Sequence, residues 1–425
     1  MAKGRNIAVG IDVGTHQIKV LVSELESAEF QSEKDSSRTN GSNLPKILAS
    51  ASIETRGVRH GYVTNVTELA KCIRSVVTIA EKNSGIPIKK AYVSVGGVGL
   101  GAIVSIGSVV TTKADSEITD LDVKRAIEES DKELPNAYIL NRKIIHTIPL
   151  EYKVDGRKVL GKPQGLKGIK LEARVLYITC LSHHLTDLLS AFDEANVEIK
   201  DVVAAPIAAS LVSLTKTQKI AGCVLLNIGA ETSSIIVYEN NIPVSMEVFA
   251  VGSNDITNDI ALGLKVSIED ADLIKMSVSG NIGVANSSSN ASLPAFSRKK
   301  LDEIVIARLS DIFDLIESHL KKIDRNGLLP AGIILTGGGS GLQNIEELAR
   351  EALRLPSKRH SLKLEGNLKG IAREFEWAVA YGLTILAFSS PDDKSGGMGF
   401  GNLNASNIVK KVGNKISSLF KQFLP

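Results

Sequence analysis

Three glycine turns, each directly after a hydrophobic stretch, are the segments of this chain best suited to chemistry. The first is Asp12-Val13-Gly14-Thr15, the second runs from Asn227 to Thr232, and the third runs from Thr336 to Gly341. Backbone N–H groups and a threonine hydroxyl in such a turn can hold phosphate oxygens. Lys19 adds a positive charge near the first turn. Asp12 can hold the water shell of Mg²⁺, an ion that binds through carboxylates and phosphates.

The third turn suits a flat ligand, because glycine has no Cβ and lets the backbone approach a ring closely. One glycine turn means little, but three in this order, two of them on a repeated strand–turn–strand unit, predict a nucleotide site. The glycines of residues 96–101 are a weaker candidate for dinucleotide binding, since a β-like stretch and not a helix follows them. The phosphate-loop signature GxxxxGK[ST] is absent from the sequence.

The elements that must position these turns follow a repeated pattern. Residues 6–24 read as strand, turn and strand, followed by a third strand at 47–54 and a helix at 66–83. The same order of strand and turn returns after Ala221, which predicts two related lobes. Residues 254–325 read as mainly helical, and the polar stretch 26–43 is predicted to be disordered.

Composition limits the classes of function. A chain of 425 residues with 43% hydrophobic and 23% charged residues is typical of a soluble protein with two or more lobes. The net charge is +3, and the tail from Asn407 holds four lysines and no acid, so no nucleic-acid partner is predicted for the nearly neutral body. The three cysteines are far apart and favour a reducing cytoplasm. Neither a signal peptide nor a membrane-spanning segment is predicted.

Residues 407–425 show the periodicity of an amphipathic helix. Its apolar stripe includes Ile408, Val412, Ile416, Leu419, Phe420 and Phe423. Its polar face carries Lys410, Lys411, Lys415 and Lys421. Such a helix suits an anionic membrane surface. The alternative is a terminal helix docked on the protein's own core, but residues 389–406 form a long glycine-rich linker that a docked helix would not need.

The glycine turns resemble the nucleotide loops of the actin/Hsp70/sugar-kinase superfamily. The first phosphate loop matches from Asp12 through Gly14, Thr15 and His16 to Lys19. The second phosphate loop matches at Asn227, Gly229, Ala230, Glu231 and Thr232, and the adenosine loop at Gly337, Gly338, Gly339 and Ser340. Asp272 and Lys275 stand where the superfamily places an acid and a base against the nucleoside, and residues 206–209 and 378–382 resemble its two connecting helices. The resemblance implies a two-lobed α/β fold of duplicated ribonuclease-H-like domains that binds ATP and Mg²⁺ between the lobes.

Within this superfamily the chain resembles the FtsA family of bacterial cell-division proteins over essentially its whole length. Residues 146–152 (HTIPLEY) and 162–171 (KPQGLKGIKL) resemble signatures of the extra subdomain of that family. The resemblance predicts these divisions: 1–86 with 379–388 as subdomain 1A, 87–170 as the inserted subdomain 1C, 171–252 with 326–378 as subdomain 2A, 253–325 as subdomain 2B, 389–406 as a flexible linker and 407–425 as a membrane-targeting helix.

The FtsA resemblance also implies partners. It predicts filaments of this chain, a tether to the inner face of the cytoplasmic membrane at the division site, and recruitment of other division proteins through residues 87–170. The C-terminal peptide of the tubulin-like FtsZ would dock on the helical subdomain, where Lys300 and Arg308 match the basic contacts of the family. Two alternatives remain: a cytoplasmic actin-fold adaptor similar to PilM, and a small-molecule kinase. A kinase needs a carboxylate base, for which the sequence offers no clear candidate.

The second phosphate loop departs from the pattern of the family. Asn227 stands where many relatives have aspartate, and Ala230 and Glu231 replace glycines. A neutral amide neither attracts Mg²⁺ nor accepts a proton from attacking water as a carboxylate does. The sequence therefore predicts a protein that binds ATP and is at most a weak ATPase.

The terminal stripe can be tested with Phe420→Asp. The variant should be released from anionic vesicles, because a carboxylate would have to enter the acyl region. Binding of the unaltered chain should weaken with salt, since each lysine near the surface contributes about 1 kcal/mol. Vesicle co-sedimentation measures both effects. Unchanged sedimentation of the variant would show that the tail is not the anchor.

Overall fold

The computed structural model describes residues 6–25, 44–278, 297–361, 364–371 and 373–389. Three predictions lie outside these residues: the polar stretch 26–43, the linker after Ser389 and the amphipathic helix 407–425.

The described strands and helices follow in chain order. The strands are β1 Ile7–Val13, β2 Gln17–Glu24, β3 Lys46–Glu54, β4 Val58–Arg59, β5 Tyr62–Val63, β6 Lys90–Val95, β7 Leu100–Val110, β8 Arg142–Val154, β9 Arg157–Val159, β10 Lys170–Leu181, β11 Glu198–Ala204, β12 Cys223–Ile228, β13 Ser233–Glu239, β14 Ile242–Phe249, β15 Ile333–Thr336 and β16 Ser357–Arg359. The α-helices are α1 Val66–Ser84, α2 Asp120–Lys132, α3 Asn136–Ile139, α4 Ser182–Glu194, α5 Ala205–Ser213, α6 Lys216–Ala221, α7 Ser253–Leu264, α8 Ile268–Val278, α9 Arg298–Lys322, α10 Ile345–Leu353 and α11 Ala378–Ser389. Short 3₁₀ turns occupy Gly338–Gly341 and Glu374–Trp377.

Two five-stranded sheets have the same topology. Their orders are β11-β6-β1-β2-β3 and β14-β13-β12-β15-β16. In the first, β1 is antiparallel to β2 and parallel to β6. In the second, β12 is antiparallel to β13 and parallel to β15. The repeated strand–turn–strand pattern of the sequence is therefore a repeated sheet in the structure.

The first compact unit contains the described residues up to Gly96, Thr186–Ser213 and those from Ser361 onward. Its sheet packs against α11, which also packs against α5. The backbones approach closely at these contacts because the residues there are glycines, which have no side chain. A Cβ on Gly10 would lie 2.4 Å from the carbonyl oxygen of Ala380, and a Cβ on Gly382 would lie 1.9 Å from the carbonyl oxygen of Ala208. The segments predicted as connecting helices, 206–209 and 378–382, lie in these two packed helices.

The second unit contains Gly97–Leu185 and Leu214–His360 among its described residues. Its first part is the four-stranded sheet β7-β10-β8-β9, against which α2 packs. This inserted sheet runs from Leu100 to Leu181, whereas the sequence predicts an insertion at 87–170. The difference arises because β6 pairs with β1 and β11 in the first unit, and the whole of β10 pairs with β7 and β8. Strand pairing is non-local, so consecutive strands of similar composition do not reveal it.

The rest of the second unit joins the repeated sheet to the predicted helical segment. Within residues 254–325, the helices of the described part are α7, α8 and α9. Their apolar faces share one core with the strands β12, β13 and β15, and buried side chains such as Ile256, Ile274 and Leu309 are fully shielded from solvent. The helices are thereby fixed to the sheet that carries the second glycine turn.

Asp122 organises the start of α2 in the inserted subdomain. One carboxylate oxygen accepts hydrogen bonds from the backbone N–H and hydroxyl of Thr112, at 3.1 and 2.9 Å. The other accepts from the backbone N–H and hydroxyl of Thr119, at 2.9 and 2.7 Å. Burial raises the pKa of this carboxyl, but the four hydrogen bonds outweigh burial and hold its pKa below the ordinary 3.8.

Replacing the buried Asp122 by alanine should lower the free energy of unfolding by about 2–4 kcal/mol, because four donors lose their acceptor. The pKa of Asp122 is lower in the folded protein than in the unfolded chain. Its contribution to the free energy of unfolding is therefore fully present above the pKa of the unfolded chain, and it is lost as the pH falls through the pKa of the folded protein. Denaturation followed against pH measures both effects. Asp120→Ala is the matched control, because Asp120 is exposed in the same helical turn. Equal losses for the two variants would contradict the account.

Candidate nucleotide site

The first glycine turn connects β1 to β2 and is closed by one backbone hydrogen bond. The N–H of Gly14 donates to the carbonyl oxygen of Gln17 at 3.1 Å. A Cβ on Gly14 would lie 2.8 Å from that same oxygen, so only glycine fits. The turn is also held from outside: the hydroxyl of Thr55 donates to the Gly14 carbonyl at 2.8 Å, and the N–H of Gly61 donates to the Thr15 hydroxyl at 3.1 Å.

Donors of this turn remain available to a ligand. Within the described part of the chain, no hydrogen bond uses the backbone N–H of Thr15 or His16. The Thr15 hydroxyl accepts from Gly61 and keeps its own hydrogen free to donate. Adjacent N–H groups and a hydroxyl at one turn form a concave donor set of the kind that binds phosphate oxygens.

Asp12 lies at the end of β1, directly before the first turn. Lys19 is its cross-strand partner on β2. Ser94 of β6 donates to the Asp12 carboxylate at 2.7 Å and accepts from the N–H of Val13 at 3.1 Å. Burial raises the pKa of Asp12, and the positive charge of Lys19 and the Ser94 hydrogen bond offset only part of that rise. Sequence reasoning missed Ser94, although a serine inside the apolar strand β6 was a signal for it.

The donor set around Asp12 fits Mg²⁺ and not a metal that needs an all-protein cage. Among the described residues, no group of three or more His, Cys, Asp or Glu side chains is placed to hold a metal. Magnesium keeps several waters and is bound through one or two carboxylates together with substrate phosphates. One carboxylate beside a turn with free N–H and hydroxyl donors matches this requirement.

The second glycine turn, between β12 and β13, repeats the first. The N–H of Gly229 donates to the Thr232 carbonyl at 2.8 Å, and a Cβ on Gly229 would lie 2.9 Å from that oxygen. Within the described residues, the backbone N–H of Ala230 has no hydrogen-bond acceptor, as for Thr15 in the first turn. Asn227, an amide, occupies the position equivalent to Asp12. The second turn therefore offers N–H donors but has no carboxylate at this position.

The start of α7 holds the second turn in place. The N–H of Ser253 donates to the Gly229 carbonyl at 2.9 Å, and the N–H of Asn254 donates to the Ala230 carbonyl at 2.8 Å. The contact is tight, because a Cβ on Gly252 would lie 2.4 Å from the Ala230 carbonyl oxygen. The helical segment and the turn therefore form one rigid connection. The sequence signal was a glycine between a strand and a helix.

The third turn packs against the second. Thr336 of β15 is the parallel partner of Asn227. Gly337 has a φ of 84°, and a Cβ there would lie 2.1 Å from the Asn227 side-chain oxygen. Gly338 is exposed, whereas Gly339 packs on Ile228 and is buried. The buried Ser340 hydroxyl donates to the Gly337 carbonyl at 2.7 Å. The structure thus turns Gly339 and Ser340 inward, whereas Gly337 is half-buried and Gly338 is exposed.

The acid and base predicted beside the nucleoside bind each other. The ammonium of Lys275 lies 2.8 Å from the Asp272 carboxylate and 2.6 Å from the Thr257 hydroxyl. The Lys275 side chain is 8% exposed and that of Asp272 is 53% exposed. Lys275 therefore ties α8 to α7, and Asp272 is the member of the pair that solvent reaches.

The two basic residues predicted on the docking helix α9 differ in their surroundings. Lys300 is exposed. Arg308 makes a bidentate pair with Asp259 of α7, at 2.6 and 3.1 Å, and contacts Asp311 at 3.2 Å. Hydrogen bonding to Asp259, more than the desolvation that opposes it, raises the pKa of Arg308. The sequence treated Arg308 as an open cation, whereas two carboxylates already neutralise it.

Two sheets of one topology, each ending in the same closed glycine turn, together with an inserted four-stranded sheet, define an actin-like α/β protein. Two family models match the chain: "Cell division protein FtsA" over residues 224–382 and "SHS2 domain inserted in FTSA" over residues 102–179. Together they cover more than half of the sequence. The chain belongs to the FtsA family of cell-division proteins.

Curated relatives and a solved structure agree with this assignment. The FtsA of Borreliella burgdorferi is 29% identical, with 98% of each chain covered. The FtsA of Pseudomonas aeruginosa is 25% identical, with 91% of this chain and 90% of the relative covered. A structure of the PilM-PilN type IV pilus biogenesis complex superposes with a TM-score of 0.63 at 16% identity, covering 89% of this chain and 98% of that chain. This likeness confirms the actin-like fold class. Among the described residues, no helix has the length and apolarity to span a bilayer.

The packing of the second and third turns can be tested with Gly337→Ala. The variant should lose at least about 2 kcal/mol of unfolding free energy, because a Cβ would meet the Asn227 side chain in addition to the strain of a positive φ. Gly327→Ala is the matched control, since Gly327 has a φ of 66° with nothing within 4 Å of the added Cβ. Chemical denaturation compares the two. A loss at Gly337 no larger than at Gly327 would show that the turns are not packed as described.

Proposed function

We propose that this protein is a nucleotide-dependent, membrane-tethered adaptor that links FtsZ to the cytoplasmic membrane during division. The observation that carries the proposal is the duplicated turn: Gly14 and Gly229 close identical loops, each of which leaves a backbone N–H without an acceptor among the described residues. Family membership supports a role in division, and the turns supply the nucleotide chemistry.

In this proposal ATP is the ligand of the three turns. Donors of Thr15, His16 and Ala230 hold phosphate oxygens, and the Lys19 ammonium adds a compensating charge. The backbone of the half-buried Gly337 and the exposed Gly338 lies against the adenosine. Asp12, oriented by Ser94, holds the water shell of Mg²⁺, and this ion would neutralise charge on the phosphates.

Hydrolysis is slow or absent in the same proposal. Of the two equivalent strand ends, only that of Asp12 carries a carboxylate, and Asn227 cannot accept a proton from attacking water. The Asn227 side chain also contacts Gly337, so it serves the packing of the third turn. The nucleotide is then a structural ligand and not a consumed substrate.

The adaptor role rests on further parts of the chain. We assign the FtsZ C-terminal peptide to α9, filament contacts to copies of this chain, other division proteins to the inserted subdomain, and lipid binding to residues 407–425. The subdomain divisions change in two places. The inserted sheet covers Leu100–Leu181, and Thr186–Ser213 together with the described residues of 361–378 lie in the first unit and not in the predicted subdomain 2A. The protein would then sit on the inner face of the cell membrane at the division site.

A PilM-like adaptor and a small-molecule kinase are weaker candidates. The likeness to the PilM-PilN structure is one of fold at 16% identity. An adaptor that reaches the membrane through a partner has no need of the lysine-flanked apolar stripe in residues 407–425. A kinase needs a base for the substrate hydroxyl, and Asn227 occupies one place where that group would stand.

Calorimetric titration with Mg-ATP and a steady-state phosphate-release assay test the nucleotide proposal. The unaltered protein should bind Mg-ATP and release phosphate slowly. Asn227→Asp should raise the rate of ATP turnover at least about tenfold, because a carboxylate can act as a general base. General bases contribute about a hundredfold or more in enzymes, so tenfold is a modest expectation. Asn241→Asp, at the β13–β14 hairpin, is the control for the same chemical change elsewhere. If the unaltered protein hydrolyses ATP briskly and Asp12→Ala abolishes that turnover, the proposal of slow hydrolysis is overturned. If the unaltered protein does not bind Mg-ATP, the proposed nucleotide site is overturned.

A further inference from the structure

The direction of the Thr15 N–H in the first turn is set by a hydrogen bond at the other end of its own peptide group. The Gly14 carbonyl and the Thr15 N–H belong to one planar trans peptide, so they point in opposite directions. The hydroxyl of Thr55 donates to that carbonyl at 2.8 Å. Thr55 therefore directs away from itself an N–H group that has no acceptor among the described residues.

The segment 55–61 holds the first turn at two more points. The backbone N–H of Thr55 donates to the carbonyl of His16 at 2.9 Å. The N–H of Gly61 donates to the Thr15 hydroxyl at 3.1 Å. Both donors of Thr15 are thus oriented from this segment, the N–H through the Gly14 carbonyl and the hydroxyl through its own oxygen.

Thr55 is itself fixed between β3 and α1. It follows β3 directly and is 9% exposed. Two residues later, Gly57 has a φ of 78°, and its carbonyl accepts from the N–H groups of Thr64 and Asn65 at 2.8 and 3.2 Å. Asn65 is the N-cap of α1, where its side chain accepts from the N–H of Glu68 at 3.1 Å. The Thr55 hydroxyl is therefore presented to the turn by a closed loop.

The second turn has an equivalent hydrogen bond from a different kind of donor. The N–H of Ser253 donates to the Gly229 carbonyl at 2.9 Å. The peptide between Gly229 and Ala230 is also trans, so the Ala230 N–H points away from α7. One unit uses a side-chain hydroxyl and the other a helix N–H for the same carbonyl. Two unrelated donors at equivalent positions indicate that the orientation of this peptide matters to the site.

We propose that Thr55 is a positioning residue of the nucleotide site, whose hydroxyl keeps the Thr15 N–H directed at a phosphate oxygen. The inference rests on the proposed nucleotide function and assigns to it a residue that acts on the ligand through Thr15. Without the hydroxyl, the Gly14 carbonyl loses this partner, and the peptide can rotate because glycine permits conformations closed to other residues. A rotated peptide would present its carbonyl oxygen to the phosphates, which an oxygen repels.

Calorimetric titration of the full chain with Mg-ATP tests the role of the hydroxyl. Thr55→Val keeps the shape of the side chain and should raise Kd at least about fivefold, because the phosphate loses a well-directed donor. Thr55→Ala, which also lacks the hydroxyl and cannot overfill the site, should show the same loss. Thr55→Ser retains the hydroxyl and should stay within about twofold of the unaltered protein.

Thr384→Val is the matched control. Thr384 is buried in the first unit, and its hydroxyl donates to the Tyr381 carbonyl at 2.8 Å, so the same kind of bond is removed at another place. Its Kd for Mg-ATP should change by less than about twofold. Circular dichroism verifies that each variant is folded.

Hydrogen exchange with saturating Mg-ATP separates positioning from a general effect on folding. In Thr55→Val, protection by ATP should be lost at residues 14–16 and kept at residues 229–231. Unchanged affinity in Thr55→Val and Thr55→Ala, or an equal loss in Thr55→Ser, would overturn the positioning role and leave the nucleotide function standing. If the unaltered protein does not bind Mg-ATP, both proposals are overturned.

Discussion

The site depends on one local constraint, the closure of a tight turn at the end of a β-hairpin. In each unit a glycine N–H donates to the carbonyl three residues on, and that oxygen lies where a Cβ would be. The closure uses the glycine N–H in a hydrogen bond. The next backbone N–H has no acceptor among the described residues. The free N–H group and the need for glycine therefore have the same geometric cause, and this arrangement occurs twice because the sheet occurs twice.

In the second unit this constraint extends to the helices α7, α8 and α9. The N-terminal N–H groups of α7 hold the second turn, Lys275 ties α8 to α7, and the pair of Arg308 with Asp259 ties α9 to α7. A continuous set of hydrogen bonds thus connects Gly229 to α9. The ion pairs that stabilise this connection also decide the charge that the surface of α9 presents.

The sequence predicted those features that depend on local patterns. Glycines after hydrophobic strands located the turns, and the duplication was visible because both hairpins have the same order of residues. Non-local contacts were missed. The partner of Arg308 lies 49 residues away on α7, so its neutralisation was invisible in the spacing of α9. The boundaries predicted for the insertion differ from those of the observed sheet for the same reason. The inward hydrogen bond of the Ser340 hydroxyl is local, but it was not visible in the sequence because it forms only in the folded turn.

Hydrogen exchange of the backbone amides, with and without Mg-ATP, tests the central claim most directly. If the duplicated turns bind one kind of ligand through their unpaired N–H groups, ATP should slow exchange together at residues 12–17, 227–232 and 336–341. Protection at none of these segments, or at only one of them, would contradict the account, because the two turns would then differ in function in spite of their common geometry.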